Sequence, residues 1–134
     1  MHLKLLLGKI FKRKKSLGEL AEDRAAVFLK RNANLKILAR NWRSGHYETD
    51  IIAYDKNSNC LVFAEVKCRP THAKVAGFYA ATSKHKAECL KKCARAFVAK
   101  SHMQNASRRF DVIEVNHDGD GNIVEINHFE NVRI

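Results

Sequence analysis

The chain is poor in proline, with one in 134 residues, and it carries no internal repeat or low-complexity segment. That excludes a proline-rich linker or repeat architecture. No uninterrupted apolar run approaches the roughly 18–20 residues that cross a bilayer, so no stable membrane insertion is expected. A secretory signal is also not expected, because the basic run Lys12-Arg13-Lys14-Lys15 follows the apolar residues 3–11 and no small-residue cleavage site appears. Four cysteines at irregular spacing (Cys60, Cys68, Cys89, Cys93) form no disulfide framework. They predict reduced thiols and a cytoplasmic setting. Acids are scarce as well, 14 against 25 Lys and Arg, leaving a net charge of +11.

The excess is unevenly placed. Residues 1–40 carry +8, residues 41–83 only +1, residues 84–109 carry +7 and residues 110–134 carry −5. Two basic blocks around a nearly neutral centre suit a polyanion, whose phosphates release counterions on contact. Nucleic acid is the expected partner. An anionic membrane surface touched by a basic, partly apolar arm over residues 1–15 is the competing reading. Residues 16–134 are expected to form a single domain, since 46% hydrophobic content supports one core at this length.

Periodicity predicts a first helix over 17–32, capped by Ser16 with Glu19 three residues on. Residues 35–39 read as a short strand or extended connection. Strands over 47–54 and 60–68 flank the polar turn DKNSN and form a hairpin that ends at Arg69-Pro70. A loop over 70–81 contains Gly77. A second helix over 83–100 and two more strands, 110–115 and 123–129, complete an α/β domain with helices covering a mixed sheet. The Asp118-Gly119-Asp120-Gly121 run lacks the distal glutamate of a calcium loop and reads as the turn between those last strands.

The central acids carry the chemistry. Pairing Asp55 with Cys60 sets Asp50 across from Glu65 and Glu48 across from Lys67. Opposed carboxylates in an apolar hairpin call for a cation between them, and a divalent metal suits oxygen ligands. Asp50 and Glu65 are the candidate metal ligands. Lys67, on the same face as Glu65, would orient a water or neutralise charge developing on a phosphate. A solvent-facing strand of alternating charges is the bland alternative. His85, Cys89 and Cys93 share a helix at four-residue spacing, but Cys89 and Cys93 follow the apolar face and read as packing, not zinc ligands.

An Asp on one strand followed by Glu-x-Lys on the next resembles the core of the PD-(D/E)xK nuclease superfamily. The chain is more closely similar to the YraN-like family of small bacterial proteins, themselves similar to archaeal Holliday-junction resolvases. The resemblance covers residues 16–115. It runs through Gly18, Glu22-x-x-Ala25, Phe28-Leu29, Asn41-Trp42-Arg43, Glu48-Thr49-Asp50-Ile51-Ile52 and Phe63-Ala64-Glu65-Val66-Lys67-Cys68-Arg69. It continues through Gly77, Lys86 with Leu90 and Ala94, and Arg109-Phe110-Asp111-Val112.

The resemblance implies a restriction-endonuclease-like fold and Mg2+- or Mn2+-dependent hydrolysis of DNA, branched or structured DNA included. It implies metal binding by Asp50 and Glu65 and an active-site role for Lys67. Glu22 matches a helix glutamate that points into such sites, and Glu48 an auxiliary acid. Arg69, Lys86 and Arg43 are the expected nucleic-acid contacts. Tyr47 stands where the family usually has glycine, and Thr49 stands where the superfamily's name has proline. Neither change removes a ligand. The small size points to help from a partner, such as the second subunit of a homodimer. A non-catalytic nucleic-acid-binding module that keeps the nuclease fold is the alternative function.

Overall fold

Ser16 opens the first helix as the sequence predicts: its hydroxyl accepts from the Glu19 amide, and the Glu19 carboxylate accepts from the Ser16 amide. This reciprocal pair satisfies two amides that have no partner inside the helix. In the computed structural model, which describes residues 13–71 and 84–134, the helix α1 spans Leu17–Arg31. Arg13 and Lys15, at the end of the expected arm, pair with Glu19 and Asp23 of α1, each at 2.6 Å. Residues 1–12 of that arm, and residues 72–81 of the expected loop with Gly77, lie outside the described residues.

The sheet has five strands in the order β1 (Lys36–Ser44), β2 (Tyr47–Asp55), β3 (Cys60–Pro70), β4 (Ser107–His117) and β5 (Ile123–Phe129). β3 and β4 are parallel and the other neighbours antiparallel, so the sheet is mixed. Parallel strands need a crossover, and the helix α2 (Lys84–Ser101) lies between β3 and β4 in the chain. β1 is longer than the sequence suggests, because Trp42 and Arg43 continue the ladder opposite Thr49 and Glu48. Its polar residues hide a strand that alternation alone does not mark.

Among the described residues, each face of the sheet takes one helix. Ala21, Ala25 and Leu29 of α1 pack on Ile51, Ala53, Val62, Ala64, Ile113 and Val115. On the opposite face Ala94 and Val98 of α2 meet Ile52, Leu61 and Phe63, with Trp42, Phe97 and Phe110 at the margin. Trp42 stands edge-on to Phe97 with centroids 5.4 Å apart and takes part in the packing on α2. Burying side chains of this size contributes about 1.5–3 kcal/mol each. The arrangement is an α/β fold of the restriction-endonuclease-like kind.

A polar network is buried beneath α1. Asp111, 1% exposed, accepts from Arg109 at 3.0 and 3.1 Å and from the Asn131 amide, with the His128 ring at 2.8 Å. Burial pushes its carboxyl up, but the hydrogen bonds from His128, Arg109 and Asn131 outweigh it and hold the pKa below the usual range. The network ties the segment after β5 to β4. All four cysteines are free, and Asp118 closes its turn by accepting from the Asp120 and Asn122 amides.

Candidate active site

The hairpin register follows the expected one from Asp55↔Cys60 to Ile51↔Ala64, and there the pairing ends. Beyond that point β2 continues along β1 as far as Tyr47, while β3 continues along β4 as far as Pro70. The sheet forks, and Asp50 and Glu65 are the first residues past the last pair. The cause is visible in the alternation of β1 and β2. Ile51 faces α1, whereas Thr49 lies opposite Trp42, which packs against α2, so the face changes across Asp50. Asn41, between Arg40 and Trp42 on β1, has a φ of 49°. Asparagine tolerates that left-handed backbone better than most residues.

Asp50 turns its carboxylate into the fork. Its Oδ2 accepts from the Val66 amide at 2.8 Å, so a side chain stands where a partner strand's carbonyl would be. Glu65 is buried, and by alternation it faces α2 together with Lys67. Its Oε1 lies 3.1 Å from the Lys86 ammonium and 3.5 Å from that of Lys67. Its Oε2 is buried with no hydrogen-bond partner. A buried carboxylate oxygen left without a donor costs about 1–3 kcal/mol or more.

The electrostatics agree with the geometry. Burial first, then the charge of Glu65, pushes the Asp50 carboxyl up to about 7, with Glu22 adding to the effect. The Val66 amide and Lys86 oppose it. Glu22 comes from α1 and its carboxyl is also raised, chiefly by burial, with Glu48 and Asp23 contributing. The Asn41 side chain hydrogen-bonds Glu22 and, with Arg40, works the other way. The fork therefore gathers more carboxylate than its setting tolerates, with one carboxylate oxygen, Glu65 Oε2, unsatisfied. Two hard oxygen donors, Asp50 and Glu65, fit a divalent cation that keeps several waters, the habit of Mg2+. No group of three or more His, Cys, Asp or Glu that would hold a metal occurs among the described residues. The His85–Cys89 contact of 3.6 Å accordingly has no third ligand.

Some expected site residues stand elsewhere. Glu48 is not across from Lys67, because the strands have parted. It pairs with Arg43 across the β1–β2 ladder at 3.0 Å, and Arg43 is largely exposed. Arg69 lies two residues beyond Lys67, on the same face by alternation. Lys86 lies against Glu65 itself. Two neighbours were not among the expected site residues. Asn41 holds Glu22, and Tyr47 accepts a hydrogen bond from Lys92 at 2.9 Å, tying the end of β2 to α2. An asparagine between two alternating stretches is the one feature that could have marked the first. No helix of the described residues is long and apolar enough to cross a membrane.

The chain is similar to proteins of several bacteria. A UPF0102 protein of Geotalea daltonii is 42% identical over 101 residues, covering 75% of this chain and 76% of its own. One from Caldicellulosiruptor saccharolyticus is 37% identical over 118 residues, 88% of this chain and 97% of the relative. A third, from Mycolicibacterium gilvum, is 33% identical over 116 residues, covering 87% and 92%. The model of the uncharacterised protein family UPF0102 matches residues 21–115, a span that holds Glu22, Asp50, Glu65, Lys67 and Lys86. The chain belongs to the UPF0102 family, the YraN family, within the PD-(D/E)xK nuclease-like superfamily.

Proposed function

We propose that this protein hydrolyses phosphodiesters in DNA with the help of Mg2+ or Mn2+. One observation carries the reading: at the fork of the sheet, a partly buried Asp50 lies close enough to the buried Glu65 for their charges to interact, and Glu65 Oε2 has no donor. A purely structural pair would be selected against, because it stores repulsion and an unsatisfied atom. Asp50 and Glu65 would hold the ion. When bound, it supplies Lewis acidity at the scissile phosphate.

The chain's own residues do the rest. The Val66 amide fixes the Asp50 carboxylate, so the donor set is organised before any ligand arrives. Lys67 stands beside Glu65, where its ammonium stabilises negative charge growing on a phosphate oxygen. Glu22, positioned by Asn41, brings a raised carboxyl to the α1 flank of the site, suited to taking a proton from an attacking water. Arg69 continues the Glu65–Lys67 face as a phosphate contact, with Arg43 at the exposed edge strand. The basic blocks at 1–40 and 84–109 supply the wider attraction for a polyanion. Branched or otherwise structured DNA is the substrate class, a homodimer the working assembly, and the cytoplasm, where the four thiols stay reduced, the setting.

The test is incubation of the purified chain with branched, nicked and single-stranded DNA in Mg2+ or Mn2+, beside Asp50→Ala and Lys67→Ala. Cleavage by the native chain is expected on at least one substrate. Asp50→Ala abolishes it and Lys67→Ala lowers it by about 10²–10³-fold while DNA binding persists. Binding without cleavage on every substrate would make the protein a nucleic-acid-binding module that has kept the nuclease fold.

A further inference from the structure

Glu65 Oε1 faces two ammonium groups, and they are held very differently. Lys67 belongs to the same strand, two residues along, on backbone locked to β4 through the Lys67↔Glu114 pair. Lys86 reaches Glu65 at 3.1 Å from the first turn of α2, a separate element, with its side chain 38% exposed. Its charge also reaches Asp50. Two lysines thus stand against Asp50 and Glu65, with the Glu22 carboxylate also acting on Asp50. A divalent cation on Glu65 would lie beside both ammonium groups and compete with them for the same carboxylate, and like charges repel strongly in a poorly solvated setting. One ammonium must withdraw. Lys67 is the less able to, because its strand is paired on beyond it to Pro70. Both ammonium groups are partly exposed, 32% for Lys67 and 38% for Lys86, so what separates them is the element that carries each.

We propose that Lys86 is an exchangeable internal counterion: it occupies Glu65 in the metal-free protein, competes with the metal, and moves to a phosphate when DNA binds. The inference rests on the metal-site reading of Asp50 and Glu65. Its consequence is cooperativity. Lys86 weakens metal binding to the free protein, DNA relieves that competition by drawing Lys86 away, and by linkage the metal strengthens DNA binding by the same factor. The site then holds its metal most tightly when substrate is present.

The experiment is calorimetric titration of Mg2+ into the full-length chain at pH 8.5, where Asp50 is ionised, with and without a short DNA duplex. The native protein, Lys86→Met, Lys86→Arg, Lys91→Met and Glu65→Gln are compared. Lys86→Met is expected to bind Mg2+ at least tenfold more tightly than the native chain without DNA. Lys86→Arg, which keeps the charge, and Lys91→Met, on the same helix but away from Glu65, stay within about twofold of native. DNA tightens Mg2+ binding to the native chain and adds little to Lys86→Met. Native binding that Glu65→Gln abolishes, together with unchanged or weaker binding by Lys86→Met, overturns the counterion role and leaves the metal site standing. Equal tightening in Lys91→Met also overturns it, by showing a general charge effect. No Mg2+ binding in any variant, with or without DNA, overturns the metal site and this inference together.

Discussion

Asp50 is the residue whose surroundings are hardest to reconcile with a passive role. Its carboxyl binds a proton more readily in the fold, at about 7, than an ordinary aspartate at 3.8. Stability from this group is therefore fully present below 3.8 and is lost as pH rises through about 7. Between pH 5.5 and pH 8, metal-free protein should lose about 2 kcal/mol on this account. Urea denaturation at the two values measures the loss, and Asp50→Asn, which cannot ionise, should flatten it. Equal midpoints for the native chain at both pH values would remove the electrostatic case for the site. The nearness of Asp50 to Glu65 was legible because a hairpin turn of fixed length sets the register as far as Ile51↔Ala64, the pair just before them, and Glu65 and Lys67, two apart on a strand, share a face. Glu48 was misplaced for the same reason: extending that register past Ile51 assumes a sheet that stays closed. The Asp111 network was illegible because His128 and Asn131 reach it from 17 and 20 residues away.

At the scale of elements, the fork is a backbone event, and Asn41 is its pivot. The residue holds a φ of 49° and anchors Glu22. The two roles can be separated. Asn41→Gly keeps the backbone and loses the anchor, so the fold should persist with cleavage reduced. Asn41→Val should cost about 1–2 kcal/mol of stability, since a β-branched side chain resists the left-handed region. Thermal denaturation beside the DNA assay distinguishes them. Equal stability of Asn41→Val and the native chain would show that β1 does not depend on this conformation. Helix α1 was readable to within a residue because Ser16 and Glu19 mark its start by local chemistry. β1 was read as a fragment, because its pairing with β2 depends on residues that are polar on both sides of Trp42 and on a bulge at Leu38.

For the whole molecule, the net charge of +11 acquires a direction. The basic blocks flank a central stretch of +1, and that stretch contains the fork. Of the six acids in residues 110–134, Asp111 is spent on an internal network, and Glu114 and Glu125 both accept from Asn116. DNA affinity should fall steeply with salt, log K against log salt having a slope of about −0.9 for each phosphate neutralised on duplex DNA. Arg69→Ala should weaken binding alike for all sequences and reduce the magnitude of that slope by about one. An unchanged slope would take Arg69 off the phosphate path.

The claim on which everything else depends is that Asp50 and Glu65 together hold one divalent ion. Electron paramagnetic resonance of Mn2+ titrated into the protein counts bound ions directly. One Mn2+ per native chain is expected at the fork, lost in both Asp50→Asn and Glu65→Gln and retained in Glu48→Gln, since the native Glu48 carboxylate faces Arg43. Binding that survives loss of Asp50 and Glu65, or that disappears with Glu48 alone, would contradict it.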